Sequence, residues 1–154
     1  MPGSYMDVDG VNTYYIDVGE GPSIVLLHGA SPTSDGYGAW HCQLEVLSDE
    51  FRMVAFDQIG FGRTDLPPGG YYNRHQRVDH AIEFLRALGI ENAVLVGHSE
   101  GGYMATRIAI VAPRLCASLV VVTSGGTAPM SKDHDDDWAK AAAAAYDISH
   151  LDTE

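Results

Sequence analysis

Positive charge is scarce in this sequence. Nine Lys and Arg side chains face twenty-one Asp and Glu, leaving a net charge of −12. So acidic a chain is a poor partner for nucleic acid or an anionic membrane surface, and neither is expected to bind it. Cysteine is scarcer still. Cys42 and Cys116 are the only two. They cannot form a disulfide framework, and both are expected as buried free thiols. Long apolar runs are absent, which excludes a membrane-spanning segment of the usual length. The start, Met1-Pro2-Gly3-Ser4, has neither a basic nor an apolar leader region, so a reducing cytoplasm is the expected compartment. Metal-ligand spacing is missing too. His134 lies among Asp133, Asp135, Asp136 and Asp137. That cluster reads as the solvated acidic start of a helix, and no metal is expected. Nor is there a dinucleotide fingerprint. Gly60-Phe61-Gly62 lacks a third glycine at the required spacing and opens no helix, so no cofactor is expected. No internal repeat is found.

What remains is ample for one domain. The chain has 154 residues, of which 45% are apolar, enough to bury a sizeable core. Two alternating runs, Tyr5–Val8 and Val11–Val18, flank Asp9-Gly10, a strong hairpin signal. Continuous apolar runs follow at 23–27, Met53–Phe56, Ala93–Val96 and Leu119–Val122. Such runs read as strands buried on both faces, as in a parallel sheet. Helices are expected between them. One spans Ala39–Leu47. A second carries Val78, Ala81, Ile82, Leu85 and Leu88 on one face and ends at Gly89. A third spans Glu100–Ala112 and stops near Pro113. The expected fold is therefore α/β: a mostly parallel sheet with an N-terminal antiparallel hairpin and flanking helices. Beyond Gly125 the character shifts. Residues 126–154 hold seven acidic side chains against two lysines. The expected division is a core over 1–125 and the start of a helical lid over 126–154.

The chemistry concentrates at Gly97-His98-Ser99-Glu100-Gly101-Gly102. A buried strand precedes this G-x-S-x-G and a helix follows it, the setting in which such a motif becomes a nucleophile elbow. A serine hydroxyl reacts only when lifted clear of the sheet and given a base. Small residues at Gly97 and Gly101 keep side chains out of the tight turn, and Gly102 lets the helix pass close to neighbouring strands. The new helix also aims free N–H groups and the positive end of its dipole at the site. Ligands in such sheets bind beyond the carboxyl ends of the strands. Three loops leave those ends here: His28–Gly38, Asp57–Gly70 and the elbow.

His28-Gly29 after the third strand, Asp57–Asp65 after the fourth and the elbow after the fifth together resemble the α/β-hydrolase superfamily over roughly residues 5–125. Within it, His28-Gly29-Ala30-Ser31-Pro32 and Ser124-Gly125-Gly126 look most like the carbon–carbon bond hydrolases of aromatic ring-cleavage products. Their loop reads H-G-x-G-P-G and runs on to Asn-Trp. Ser31 and Thr33 stand at the later glycine positions here, and Ala39-Trp40 at the Asn-Trp pair. The resemblance implies Ser99 as nucleophile, with the backbone N–H groups of Ala30 and Glu100 as the oxyanion hole. It implies a small-molecule substrate, neutral or weakly polar. The cations nearest the motif loops in sequence are Arg52 and Arg63. His28 is expected to shape its loop rather than to catalyse.

The same resemblance places an Asp or Glu, then a His, after the lid. The histidines present do not stand where the family puts its base. The expectation is an ester- or carbon–carbon-bond-cleaving serine hydrolase in fragmentary or incomplete form. The alternative is a non-catalytic ligand-binding module on the same scaffold. A fragment, a chain that has lost catalysis and one half of a complex are all compatible with the sequence. A second copy or a complementing chain stands as the expected partner, because the 116–122 strand would offer a long apolar edge.

Overall fold

In a computed structural model, described here for residues 1–67, 69–70, 73–124 and 127, ten short elements form one mixed sheet with helices on both faces. The strands are β1 (Ser4–Val8), β2 (Val11–Val18), β3 (Ser23–Leu27), β4 (Arg52–Phe56), β5 (Ala93–His98) and β6 (Cys116–Val122). The helices are α1 (Gly36–Leu47), α2 (Arg74–Ala87) and α3 (Glu100–Val111), with a 3₁₀ turn at Pro113–Leu115. The sheet order is β1-β2-β4-β3-β5-β6. β1 pairs antiparallel with β2, and β2 with β4, whereas every pairing from β4 to β6 is parallel. The expected α/β architecture is the observed one.

Local chemistry accounts for the element boundaries. Asp9 and Gly10 both have positive φ, 53° and 81°, as a two-residue hairpin turn matched to strand twist requires. α1 begins at Gly36, three residues before the sequence pattern suggests. The reason is Asp35, whose extended backbone and carboxylate cap the Gly38 N–H at 2.6 Å. α2 opens with a reciprocal capping box between Asn73 and Gln76. It closes in a Schellman motif, with Gly89 N–H bonded to the Arg86 carbonyl and Ile90 N–H to that of Leu85.

The alternation of side chains along each strand divides the core. On one face Leu26, Met53 and Ala55 meet Trp40 and Leu44 of α1. On the other, Val25, Leu27, Val54, Phe56 and Leu95 meet α2 and α3. Phe84 of α2 is fully buried there, with its ring 4.7 Å from that of Phe56 and 5.4 Å from that of Tyr15. His80 is the polar exception in α2. It is buried, with Nε2 2.9 Å from Thr13 Oγ1 of β2.

Two expectations are corrected. The Leu119–Val122 run forms a strand, but an exposed one. Leu119, Val120, Val121 and Val122 each keep about two-fifths of their surface open. β6 is the outermost strand of the sheet, and among the described residues nothing lies beyond it. Composition reports how apolar a run is, not whether a neighbour covers it. Cys42, expected to be buried, lies on the open side of α1; Cys116 is half-buried, and both thiols are free. The proposed boundary at 125 and the lid over 126–154 fall, Thr127 apart, outside the described residues. So does the acidic cluster around His134.

Phe84 links the hairpin to the helical layer, so Phe84→Ala should cost about 3–5 kcal/mol. A urea titration followed by far-ultraviolet circular dichroism measures it. A midpoint near that of the wild type would show that this core is not packed as described.

Candidate active site

The site forms where β3, β4 and β5 end side by side. β5 runs out at His98, and α3 starts one residue after Ser99. Ser99 occupies the turn with φ 54° and ψ −117°, a sparsely populated backbone state for a residue with a Cβ and worth on the order of 1–3 kcal/mol of strain. The surroundings impose it. Ser99 N–H is still bonded to the Val122 carbonyl of β6 at 3.0 Å, while the Ser99 carbonyl already accepts from Gly102 N–H at 3.0 Å. The chain must finish a strand and begin a helix within one residue. The side chain that results is exposed and makes no capping bond.

The turn is tight enough to exclude side chains around it. A Cβ on Gly97 would strike the Gly101 carbonyl, and one on Gly101 would strike the backbone carbonyl of Leu27. A Cβ on Gly102 would come to 2.6 Å from Cβ of Ser124. Gly29 faces the elbow from the β3 loop. A Cβ there would lie 3.3 Å from Ser99 Cβ and 3.2 Å from His98 Nδ1. The β3 loop and the elbow therefore meet directly, with Ala30 exposed next in line. Among the described residues, the N–H groups of Ala30 and Glu100 donate to no acceptor.

Buried polar side chains hold the two flanking loops. His28 is fully buried. Its Nδ1 lies 2.6 Å from the Gly29 carbonyl, and its Nε2 accepts the Gln58 N–H at 3.0 Å. This network assigns the proton to Nδ1. The Gln58 side-chain amide donates in turn to the His28 carbonyl. Burial holds the His28 pKa below its ordinary value, although the Gly29 carbonyl and Asp57 pull it upward. Both ring nitrogens are thus committed to the loops, and the ring is neutral. Asp57 ties three segments together. Oδ1 accepts the Gly36 N–H that opens α1, at 2.7 Å, and Oδ2 accepts the Arg63 N–H at 2.8 Å. Thr64 Oγ1 donates to the Asp57 carbonyl and accepts from Tyr14 N–H of β2.

Beside the elbow opens a cavity of about 450 Å³. Ser31, Ser34, Asp35, Trp40, His98 and Val122 are among its walls. Among the described residues that line it, Asp35 carries the one charge and there is no Lys or Arg. The remaining histidines among the described residues lie elsewhere. His80 is engaged by Thr13, His41 sits beside Cys42 and Tyr37 on α1, and His75 is exposed in the first turn of α2. His150 lies outside the described residues.

Reading along the sequence misses one feature. Arg52 and Arg63 are the cations nearest the motif loops in sequence, but among the described residues it is Arg74 and Arg77 of α2 that reach the elbow residue Glu100. Arg52 is paired with Asp17 of β2, and Arg63 lies over the Tyr14 ring. Arg74 pairs with Glu100 at 2.6 Å, and Arg77 approaches it at 3.6 Å. Sequence separations of 26 and 23 residues hide this contact, and only the packing of α2 on α3 creates it. Thr123 is a second surprise. It follows β6 with φ +44°, unusual for a β-branched residue, and no sequence signal announces it.

A strand, a strained serine turn and a helix at the carboxyl edge of a parallel sheet define the α/β-hydrolase class. A family model for the alpha/beta hydrolase fold matches residues 22–147, and the chain belongs to that family. It is 36% identical to a 2-hydroxymuconate semialdehyde hydrolase of a Pseudomonas species over 84% of this chain and 46% of that protein. It is 34% identical to human epoxide hydrolase 4 over 73% of this chain and 31% of that one. Among solved structures, a meta-cleavage product hydrolase from Pseudomonas fluorescens superposes with a TM-score of 0.77 at 37% identity, over 81% of this chain and 46% of that one. The chain thus spans less than half the length of these relatives. Among the described residues no helix is long and apolar enough to cross a membrane.

Two expectations for measurement follow from the site. Gly101→Ala should destabilise by about 3 kcal/mol or more, because the added carbon meets backbone that cannot rotate away. A chemical-denaturation midpoint equal to that of the wild type would contradict the elbow geometry. Stability should also fall with acidity. Burial lowers the pKa of both His28 and His80. The unfolded chain therefore binds more protons below about pH 6.5, the ordinary histidine value. This stability is fully present above that pH and is lost as pH falls through the window down to the folded-state values. The slope is at most about 1.4 kcal/mol per pH unit for each histidine. Denaturation midpoints between pH 7.5 and 5 in wild type and His80→Gln test it; the variant should show the shallower dependence.

Proposed function

We propose that this chain carries the nucleophilic half of a serine hydrolase that cleaves an ester or a carbon–carbon bond next to a carbonyl. The observation that carries the reading is the strained, exposed Ser99 at the elbow, in contact range of the β3 loop. In this reading Ser99 Oγ adds to the substrate carbonyl carbon as its O–H bond breaks, and solvent water carries that proton to the leaving group. The carbonyl oxygen becomes an oxyanion and lies against the N–H groups of Glu100 and Ala30. Collapse expels the alcohol or carbon leaving group, which takes up a proton. Water then releases the acyl group from Ser99 and restores the hydroxyl. Removing one oxyanion donor typically costs about 2.7–4 kcal/mol in a serine enzyme. Gly97, Gly101 and Gly102 serve by giving the turn its room.

The names of the relatives favour ring-cleavage products as substrates, and the uncharged side chains of most of the cavity wall accept a small neutral or weakly polar acyl group. General-base help typically supplies about 10²–10⁴-fold. Of the histidines among the described residues, none hydrogen-bonds Ser99. Ser99 is therefore expected to react covalently but slowly in the 154-residue chain.

A fluorophosphonate probe with intact-mass readout tests the reading. The expected result is one label per chain on wild type, none on Ser99→Ala, and negligible turnover of p-nitrophenyl esters or a ring-fission dienoate by the chain alone. An unlabelled wild type would favour the ligand-binding module instead. Ordinary turnover abolished by Ser99→Ala would place a base within these residues.

A further inference from the structure

We propose that Arg74 and Arg77 are positioning residues for the oxyanion donor, acting through the side chain of Glu100. The inference rests on the proposed role of the Glu100 N–H. Glu100 is the first residue of α3, so its backbone amide points out of the helix start while its carboxylate is free to reach sideways. That carboxylate is nearly buried, with one-tenth of its surface open. Arg74 grips it with two parallel hydrogen bonds, Nε to Oε1 at 2.9 Å and Nη2 to Oε2 at 2.6 Å. Arg77 adds a second guanidinium 3.6 Å from Oε1.

Both arginines are themselves supported. Arg74 lies over the Tyr103 ring at 4.7 Å, and Tyr103 belongs to the first turn of α3. Arg77 lies over the Phe61 ring at 4.9 Å, and Phe61 packs edge-on against His28 at 5.5 Å. One chain of contacts therefore runs from the β3 loop through His28, Phe61 and Arg77 to Glu100. It ties the segment that bears one proposed donor, Ala30, to the residue that bears the other. A two-point guanidinium–carboxylate fork fixes direction as well as distance. An acidic residue at a helix start could otherwise fold back on its own helix amides. Held by α2, Glu100 leaves its own N–H clear for the substrate oxygen.

The test uses the 154-residue chain in a Ser99→Ala background, with acetate as the probe anion at constant ionic strength. Acetate binding is read from the backbone amide resonances of Glu100 and Ala30. The background chain should show a saturable shift at both. Glu100→Ala and Arg77→Ala should each weaken acetate binding about fivefold or more, since a displaced donor loses a charge-assisted hydrogen bond. Arg77→Lys should recover much of the loss, and Arg86→Ala, whose partner is Glu83, should change nothing. Simple charge predicts otherwise. Removing Glu100 would tighten an anion and removing Arg77 would loosen it. Opposite shifts, unchanged affinities or no saturable shift at Glu100 would each overturn the proposal. Arg74→Ala, at a more exposed guanidinium, takes the place of Arg77→Ala if that variant does not fold. The same substitutions in the Ser99 chain, read by fluorophosphonate labelling, keep the two ideas apart. An unlabelled Ser99 overturns the nucleophile assignment, whereas the acetate titration alone judges the positioning of the donor.

Discussion

Backbone meets backbone where α3 begins. The first turn of that helix lies against the carbonyl of Leu27 at the end of β3, with no room for a side-chain carbon at Gly101. Most of the site depends on this approach. Because the helix must enter there, β5 has to stop at His98 and reverse within one residue. Because it reverses there, Ser99 takes a positive φ and projects its side chain into the open. The same close approach turns the helix start towards the β3 loop and leaves the Glu100 N–H without a partner among the described residues. Strain of this kind persists only where the surroundings over-determine it. Here a strand bond from Ser99 N–H to Val122 and a helix bond to the Ser99 carbonyl do so from either side.

The flanking loops have no regular secondary structure, yet they are not loosely held. Asp57, His28, Gln58 and Thr64 are all buried and are bonded chiefly to backbone groups of other segments. A buried polar group left unpaired costs roughly 1–3 kcal/mol, so each of these bonds specifies a loop position as well as stabilising it. The arrangement also settles what His28 can do. With Nδ1 on a carbonyl and Nε2 on an amide, it holds the loop and has no lone pair to spare for proton transfer.

Much of this was legible along the chain. The β3 run at 23–27 ends where the pattern says, and the Asp9-Gly10 turn and the Gly89 helix end are chemical signals that structure reproduces. The site loops could be found because parallel sheets expose their carboxyl edges, and the unusual residues of the chain cluster in those loops. Other features were not legible. The edge position of β6 was expected, but how far its faces are covered depends on neighbours that its apolar composition does not report. Cys42 depends on which face of α1 turns to the sheet, and Trp40 and Leu44 take that face.

The sequence by itself determined the fold class, the order of strands and helices, and the placing of Ser99 between glycines at a strand-to-helix turn. Those follow from local rules: period, propensity, capping and the room that glycine leaves. Tertiary structure alone decided which charges meet. Arg74 and Arg77 stand on a different helix from Glu100, and no spacing rule links them. Only the packing of α2 on α3 brings two guanidinium groups onto one carboxylate. Coulomb attraction acts through space rather than along the chain, so contacts of this kind come into view only when the chain is folded.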